Sequence, residues 1–222
     1  MIVAWGELVR KHEAALSFDE IHRTDTAGGI AVENLQIESA NRKHGHPYEP
    51  MPMRLFERLL KSAKVRHEDY VFVDFGSGKG RTLLLASHYP FKRVIGVEYA
   101  LDLHTVALKN IALYRSRSRR CFDVEAVHAD AAEYVVPLEP MICFFFNPFD
   151  EMIMRAVLTN FKKSLDHHPR DVRFIYYIPR HVRLFDELDF SRGQLTAREA
   201  APEDFHESAQ DRIVARSMSA VE

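Results

Sequence analysis

Residues 71–80 read Val-Phe-Val-Asp-Phe-Gly-Ser-Gly-Lys-Gly, a short apolar run that passes directly into a glycine-rich turn. Gly76, Gly78 and Gly80 leave a bare backbone against which a ligand can lie. Asp74 stands two residues before the first of them. A turn that only cradles a phosphate gains nothing from this carboxylate, whereas a turn that holds a zwitterion or a cation does. We therefore expect a ligand that carries a positive charge.

Around this turn the sequence alternates between apolar strand patterns and amphipathic helix patterns. Most of the predicted strands, at 71–75, 94–97, 124–128, 141–146 and 172–178, are almost continuously apolar. Such runs are typical of parallel strands that are buried on both faces. Apolar residues at helical spacing separate the strands, for example Leu103, Ala107 and Ile111. This order predicts an α/β fold with a doubly wound, mostly parallel, Rossmann-like sheet.

Two segments flank the predicted core. Residues 1–64 have no sustained periodicity before a helix pattern near 55–63, and we expect them to form an N-terminal helical cap that extends the substrate site. Residues 65–222 then form the main domain. After Pro179 the patterns predict a helix over 181–188 and two strands over 194–198 and 211–217. The short connection between these strands predicts an antiparallel pair.

Composition narrows the class of protein. Lys and Arg total 30 against 32 Asp and Glu, a net charge of −2 that gives no general attraction to nucleic acid or anionic membranes. The arginines of 115–120 are interpreted as a solvated helix end, with nucleic-acid contact as the alternative. Cys121 and Cys143 lie in or beside apolar strands, which favours reduced thiols in a cytoplasmic protein. No signal peptide, membrane span or metal-ligand spacing is predicted.

Polar residues stand at the carboxyl ends of four predicted strands, the edge at which doubly wound sheets bind ligands. Besides the glycine turn, they are Glu98, Asp130 and the run Asn147-Pro148-Phe149. A carboxylate at 98 can accept hydrogen bonds from both hydroxyls of a ribose, and an acid at 130 can accept a hydrogen bond from the amine of adenine. The turn has G-x-G-x-G spacing, whereas a dinucleotide fingerprint would place its third glycine at Arg81. Together they predict an adenosine that carries something other than a diphosphate.

These motifs resemble the four successive motifs of class I S-adenosylmethionine-dependent methyltransferases, over roughly residues 70–178. A shorter likeness joins residues 75–78 and 96–98 to seven-strand protein-lysine methyltransferases. The resemblance implies that Asp74 faces the amino group of S-adenosylmethionine, that residues 76–78 contact its methionine part, that Glu98 binds the ribose and that Asp130 binds the adenine amine. The predicted cofactor-binding residues are Asp74, Gly76, Ser77, Gly78, Gly80, Glu98, Tyr99, Asp130, Ala131 and Asn147.

The run Asn147-Pro148-Phe149 is similar to the Asn/Asp-Pro-Pro-aromatic motif of amine-methylating enzymes, with one proline instead of two. In that motif the side-chain and backbone oxygens accept hydrogen bonds from the target nitrogen. Asn147 and Tyr48 are the predicted catalytic residues, with Tyr48 as the preferred lid residue. His44 and His46 near it are interpreted as exposed loop residues, with a lid that closes on the donor and contacts substrate as the alternative. A protein lysine is the first choice of acceptor, with a small amine or a nucleobase next.

Two other functions and two other residue roles remain open. An NAD(P)-dependent oxidoreductase shares this sheet and an acid after the second strand, although Asp74 and Arg81 argue against it. A regulator that binds the donor without transferring a methyl group would keep the same motifs. Among the single residues, Asp130 can also act as an N-cap for 131–135, and Asn147-Pro148-Phe149 can be a plain strand-to-helix turn.

Overall fold

A computed structural model describes residues 18–190 and 195–198. The six strands are β1 (Val71–Phe75), β2 (Val94–Glu98), β3 (Val124–His128), β4 (Met141–Phe146), β5 (Val172–Tyr177) and β6 (Leu195–Arg198). The helices are α1 (Met53–Ser62), α2 (Arg81–Ala86), α3 (Leu101–Leu113), α4 (Glu151–His167) and α5 (Arg183–Glu187). Short 3₁₀ helices span Val32–Asn34, Arg42–His44 and His67–Asp69.

The six strands form one sheet in the order β3-β2-β1-β4-β5-β6, and every neighbouring pair is parallel. This is the strand order of a Rossmann-type doubly wound sheet, in which the chain changes direction of travel between β1 and β4. The carboxyl ends of these two strands therefore flank the switch point, where such sheets bind their ligands. The predicted Rossmann-like α/β fold is confirmed.

The central strands bury both of their faces, as their continuous apolar runs predict. Along β1, Val71 and Val73 pack into one apolar cluster with Phe161 of α4. The residue between them, Phe72, packs into the other cluster with Phe56 of α1. Because the sheet is covered on both sides, only its ends are free to form a polar site.

The prediction of a C-terminal antiparallel pair is not supported. β6 pairs in parallel with β5, with Phe174 opposite Leu195 and Tyr177 opposite Arg198. The short helix α5 lies between the two strands and supplies the crossover that a parallel connection requires. The second strand of the predicted pair, at 211–217, lies outside the described residues.

Residues 18–52 cross the carboxyl edge of the sheet in mostly extended and turn conformations. The helical parts of this segment are a turn at 18–22 and two of the 3₁₀ helices. Helix α1 then begins where the sequence predicts a helix. Prolines at 47, 50 and 52 restrict the backbone here and do not favour a longer helix. Across the described parts of the chain, we find no helix of the length and apolarity that crossing a membrane requires.

Candidate functional site

A cavity of about 330 Å³ opens at the carboxyl ends of β1, β2 and β4. Its wall is formed by the glycine turn, the residues that follow β2, β3 and β4, and the segment 41–49. The predicted site residues that line it are Tyr48, Gly76, Gly78, Glu98, Tyr99, Asp130, Ala131 and Asn147. Asp74, Ser77 and Gly80 are not in the lining, and the first two are buried side chains beside it. The structure thus brings most of the predicted residues to one cavity.

The glycine turn is closed on one side by protein. Gly76 and Gly78 have φ of +81° and +55°, which disfavours any residue with a side chain. A Cβ on Gly78 would lie 2.2 Å from Cδ2 of Tyr48, and a Cβ on Gly76 would lie 2.6 Å from Cβ of Pro148. At these two glycines the ring of Tyr48 and the side chain of Pro148 pack directly on the backbone. A ligand therefore has to approach the turn from the cavity.

Glu98 ends β2 and is only 4% exposed. Its Oε2 accepts a hydrogen bond from the N–H of Gly78, and its Oε1 accepts one from the N–H of Ala100, each over 2.8 Å. Because a carboxylate has about four acceptor positions, both oxygens can still accept from a ligand. Burial raises the pKa of this carboxyl to about 7, against the opposing effect of these N–H groups.

Asp74 is a second buried carboxyl, 3% exposed, on β1 beside β2. Burial raises its pKa to about 8; a hydrogen bond from Thr82 opposes this shift and the charge of Glu98 adds to it. Two neighbouring buried acids destabilise each other's ionised forms. A cation in the adjoining cavity would favour ionisation of both, which agrees with the charged ligand predicted from the sequence.

Asp130 follows β3 and already holds the N-terminal segment. Its Oδ2 accepts hydrogen bonds from Ser39 Oγ over 2.5 Å and from Asn41 Nδ2 over 2.8 Å. Its Oδ1 accepts from the N–H of Ala132 over 2.9 Å, so Asp130 also caps the turn that follows it. Ser39 and Asn41 were not singled out from the sequence, because no local pattern marks them as neighbours of this acid.

Asn147 forms the turn after β4 in a strained conformation, with φ of +41°. Its side-chain Oδ1 is buried without a hydrogen-bond partner among the described residues. Its backbone oxygen accepts a hydrogen bond from Nδ1 of His46 over 2.6 Å. An unsatisfied buried acceptor costs roughly 1–3 kcal/mol. Strain and an orphaned oxygen at one residue of the cavity wall favour a ligand-binding role over a plain turn.

Tyr48 offers the cavity its ring. The hydroxyl donates a hydrogen bond to the backbone oxygen of Thr26 over 2.6 Å, and burial raises the pKa of this phenol far above its ordinary value. The hydroxyl is therefore committed to the N-terminal segment and unsuited to proton transfer. In the structure Tyr48 contributes to the site through its ring, which packs against Gly78.

Lys79 and Arg81 fasten residues 18–52 to the glycine turn. Nζ of Lys79 donates hydrogen bonds to Oδ1 of Asp25 over 2.8 Å and to the backbone oxygen of Ala27 over 2.9 Å. Arg81, 3% exposed, donates from Nε to the backbone oxygen of Met51 over 2.9 Å. Arg81 thus occupies, with a buried structural role, the place where a dinucleotide fingerprint has its third glycine.

His44 also lines the cavity and pairs with Asp150. Its Nδ1 is 2.5 Å from Oδ2 of Asp150, which also caps α4 by accepting from the N–H groups of Met152 and Ile153. Burial alone would raise the pKa of Asp150, but the hydrogen bonds from His44 and these N–H groups outweigh it and lower the pKa. An Asp directly before a helix is a common N-cap, whereas no local pattern indicates a histidine partner 106 residues away.

Comparison with known proteins agrees with these features. No family model matches the chain. A protein-lysine N-methyltransferase of Saccharolobus islandicus (strain REY15A) is 38% identical over 66 residues, a match that covers 29% of this chain and 40% of that relative. The chain thus aligns with less than half the length of this curated relative.

Solved structures give weaker, more general similarities. An S-adenosylmethionine-dependent methyltransferase from Thiobacillus denitrificans, in complex with S-adenosylhomocysteine, has a TM-score of 0.40 at 18% identity over 52% of this chain and 45% of that one. An RNA methyltransferase from Salinibacter ruber, in complex with the same ligand, has a TM-score of 0.37 at 22% identity over 56% and 78%. The short match to the protein-lysine methyltransferase agrees with the predicted resemblance to S-adenosylmethionine-dependent methyltransferases.

Proposed function

We propose that this chain is an S-adenosylmethionine-dependent methyltransferase that acts on an amine, in the first place the side chain of a protein lysine. The observation that carries the proposal is the pair of buried acids, Asp74 and Glu98, beside a glycine turn at the switch point of the sheet. Such a pair favours a cation, and S-adenosylmethionine carries a positive charge on both its amino group and its sulfur. The cavity, the bare turn and the buried acids all fit this donor.

In this proposal each part of the donor has a group to hold it. Residues 76–78 and the buried Asp74 serve its methionine part, Glu98 its ribose, and Asp130 with Ala131 its adenine. The bound donor supplies an already activated methyl group, so the protein has to position the two reactants and needs little acid–base chemistry. Because Asp130 is shared with Ser39 and Asn41, the N-terminal segment forms part of the donor site.

The amine acceptor is proposed from Asn147. Its Oδ1 is a buried acceptor with no partner among the described residues, in a turn that resembles the motif of amine-methylating enzymes. An amine keeps an N–H that can donate to this oxygen during methyl transfer. A hydroxyl loses its one proton in the reaction, and a carbon acceptor has no such donor. Lysine is preferred to other amines because the short sequence match is to a protein-lysine methyltransferase. A nicotinamide cofactor is disfavoured because Arg81 fills the place of the third glycine.

The test is transfer of a radiolabelled methyl group from S-adenosylmethionine into fractions of a cell extract. We expect label in the protein fraction that amino-acid analysis recovers as methyl-lysine, and its loss in Asn147→Ala. The matched control is Asn34→Ala, an exposed asparagine outside the cavity. Label confined to nucleic acid or small molecules would refute the lysine acceptor, and donor binding without any labelled product would favour a regulator.

A further inference from the structure

We propose that His46 is the base that removes the proton from the acceptor ammonium, an inference that rests on the proposed function. His46 lines the cavity together with Asn147, and the two residues are bonded to each other. The sequence favours an exposed loop residue at His46, with a place on a lid as the alternative, and predicts no chemical role for it. Its position in the structure gives it one.

The hydrogen bond between the two residues determines which nitrogen of His46 carries a proton. Nδ1 lies 2.6 Å from the backbone oxygen of Asn147, and a carbonyl oxygen can only accept. Nδ1 is therefore the donor, and in the neutral ring Nε2 keeps the lone pair. No partner for Nε2 is found among residues 18–190 and 195–198. His46 thus presents a free basic nitrogen from the cavity wall.

The backbone on both sides of this contact is fixed. The N–H of His46 donates to the backbone oxygen of Pro148 over 3.3 Å. Gly45 forms an antiparallel bridge with Phe149. The ring of His46 is therefore held against the turn that carries the orphaned Oδ1 of Asn147. An ammonium has three N–H groups, and this pair offers acceptors for two of them.

A lysine acceptor needs such a base, because its amine has a pKa near 10.4 and arrives protonated, without a lone pair. One proton passes from the ammonium to Nε2 of His46 while another N–H is held by Oδ1 of Asn147. The freed lone pair then forms the bond to the methyl carbon as the carbon–sulfur bond breaks, with its electron pair left on sulfur. The imidazolium finally releases the proton to solvent. The total charge and the number of protons are conserved at each step.

Other titratable and charged groups surround His46, and its pH dependence has to be separated from theirs. The pKa of His181 is lowered, chiefly by burial. Glu151 and Asp150 oppose this shift, and the nearby His46 adds to it. Arg180 and Glu49 line the same cavity, and His44 pairs with Asp150. A rate profile for the wild type alone would therefore mix several groups, whereas a difference between matched variants isolates His46.

The test variant is His46→Asn, whose amide can still donate to the oxygen of Asn147 but has no basic nitrogen. The control is His167→Asn, because His167 also bonds a backbone oxygen through Nδ1, that of Lys163 over 2.7 Å, and lies exposed at the far end of α4. The probes are a degenerate peptide library with a fixed lysine and the same library with an aminooxy side chain at that position. The aminooxy nitrogen is neutral at pH 7 and needs no base.

We expect His46→Asn to slow methylation of the lysine library by roughly 100-fold and to leave the aminooxy library unaffected. The dependence of the remaining lysine rate on pH should move toward the pKa of the free amine. His167→Asn should change neither rate. Equal slowing on both libraries, or no slowing on either, would overturn the assignment while leaving the proposed function intact. Wild-type protein that binds the donor and methylates neither library would overturn the proposed acceptor and the assignment together.

A second readout does not depend on activity. In the donor-free protein at pH 8, the ¹⁵N chemical shifts of the His46 ring should show a proton on Nδ1 and none on Nε2. A neutral ring with its proton on Nε2 would contradict the proposal, because no lone pair would then face the acceptor.

Discussion

The carboxylate of Glu98 accepts a hydrogen bond from the backbone N–H of Gly78 over 2.8 Å, which ties the end of β2 to the glycine turn after β1. A second hydrogen bond, from the N–H of Ala100, fixes the other oxygen. The acid is thus oriented before any ligand arrives, it lines the cavity, and its oxygens keep further acceptor positions. The identity of the proposed donor depends on this arrangement.

Replacement of Glu98 by glutamine should weaken binding of S-adenosylhomocysteine by about 1.5–3 kcal/mol, the usual value of a hydrogen bond to a charged group. The amide nitrogen cannot accept from a ribose hydroxyl and would face the N–H of Gly78 or Ala100. Titration calorimetry measures the effect. The matched control is Glu125→Gln, an exposed glutamate on the neighbouring strand β3. Equal affinities for the two variants would show that Glu98 does not hold the ribose.

The buried acids should make donor binding depend on pH. Burial raises the pKa of Asp74 from 3.8 to about 8 and that of Glu98 from 4.5 to about 7. Because a bound cation favours the ionised acids, affinity for S-adenosylmethionine should rise as pH increases from 6 to 8.5, with protons released on binding. Calorimetry in two buffers of different ionisation enthalpy counts these protons. A pH-independent affinity would contradict the role of the acids.

The same acids should lower the stability of the donor-free protein as pH rises, although they raise its affinity for the donor. Both are protonated in the folded protein at a pH where they are ionised in the unfolded chain, so unfolding releases protons. The free energy of unfolding of the donor-free protein should therefore contain a contribution that is complete below about pH 4 and is lost as pH rises toward 8. Asp74→Asn should flatten this dependence in urea titrations, and an unchanged dependence would argue against the raised pKa of Asp74.

A double-mutant cycle tests the packing of Tyr48 on Gly78. Gly78→Ala should destabilise the protein by about 1–3 kcal/mol, since its Cβ would lie 2.2 Å from the ring of Tyr48 at a φ that disfavours side chains. In a Tyr48→Ala background the cost should shrink to the backbone strain alone, about 1–2 kcal/mol. Urea unfolding measures the four proteins. Additive costs would show that the ring and the glycine do not interact.

Asp19 should be a main support of the N-terminal segment. This buried carboxylate accepts hydrogen bonds from Thr24, from the N–H and hydroxyl of Thr26 and from the N–H of Ala27, over 2.6–2.7 Å. Asp19→Asn should cost about 1.5–3 kcal/mol of stability and speed hydrogen exchange at residues 26 and 27. The exposed neighbour Glu20 provides the control, Glu20→Gln. Slow exchange at both residues in Asp19→Asn would contradict this account.

The sequence predicted the features that local patterns encode. Apolar runs identified the central strands. The rule that ligands bind at strand ends predicted that Glu98, Asp130 and Asn147 share one site, and all three line the cavity. The predicted antiparallel pair at the C-terminal end is not supported: β6 lies parallel to β5 after the crossover helix α5, and its predicted partner at 211–217 lies outside the described residues. Short C-terminal strands lack the continuous apolarity that distinguishes a parallel strand.

Contacts between distant residues were beyond sequence reasoning. Lys79 bonds Asp25 across 54 residues, Asn41 bonds Asp130 across 89, and His46 bonds Asn147 across 101. Nothing in the local pattern of 18–52 tells which polar residue will find which partner, because these pairings depend on how the segment crosses the sheet. The division of the chain at residue 64 and the detailed roles of the site residues stay predictions.

The central claim, that this cavity binds S-adenosylmethionine, is tested most directly by the melting temperature of the protein with S-adenosylhomocysteine and, separately, with NAD. A ligand that binds only the folded state stabilises it by RT ln(1 + [L]/Kd) and so raises the melting temperature. We expect S-adenosylhomocysteine to raise it, Glu98→Gln to diminish the rise, and NAD to leave it unchanged. Stabilisation by NAD without stabilisation by S-adenosylhomocysteine would contradict the account.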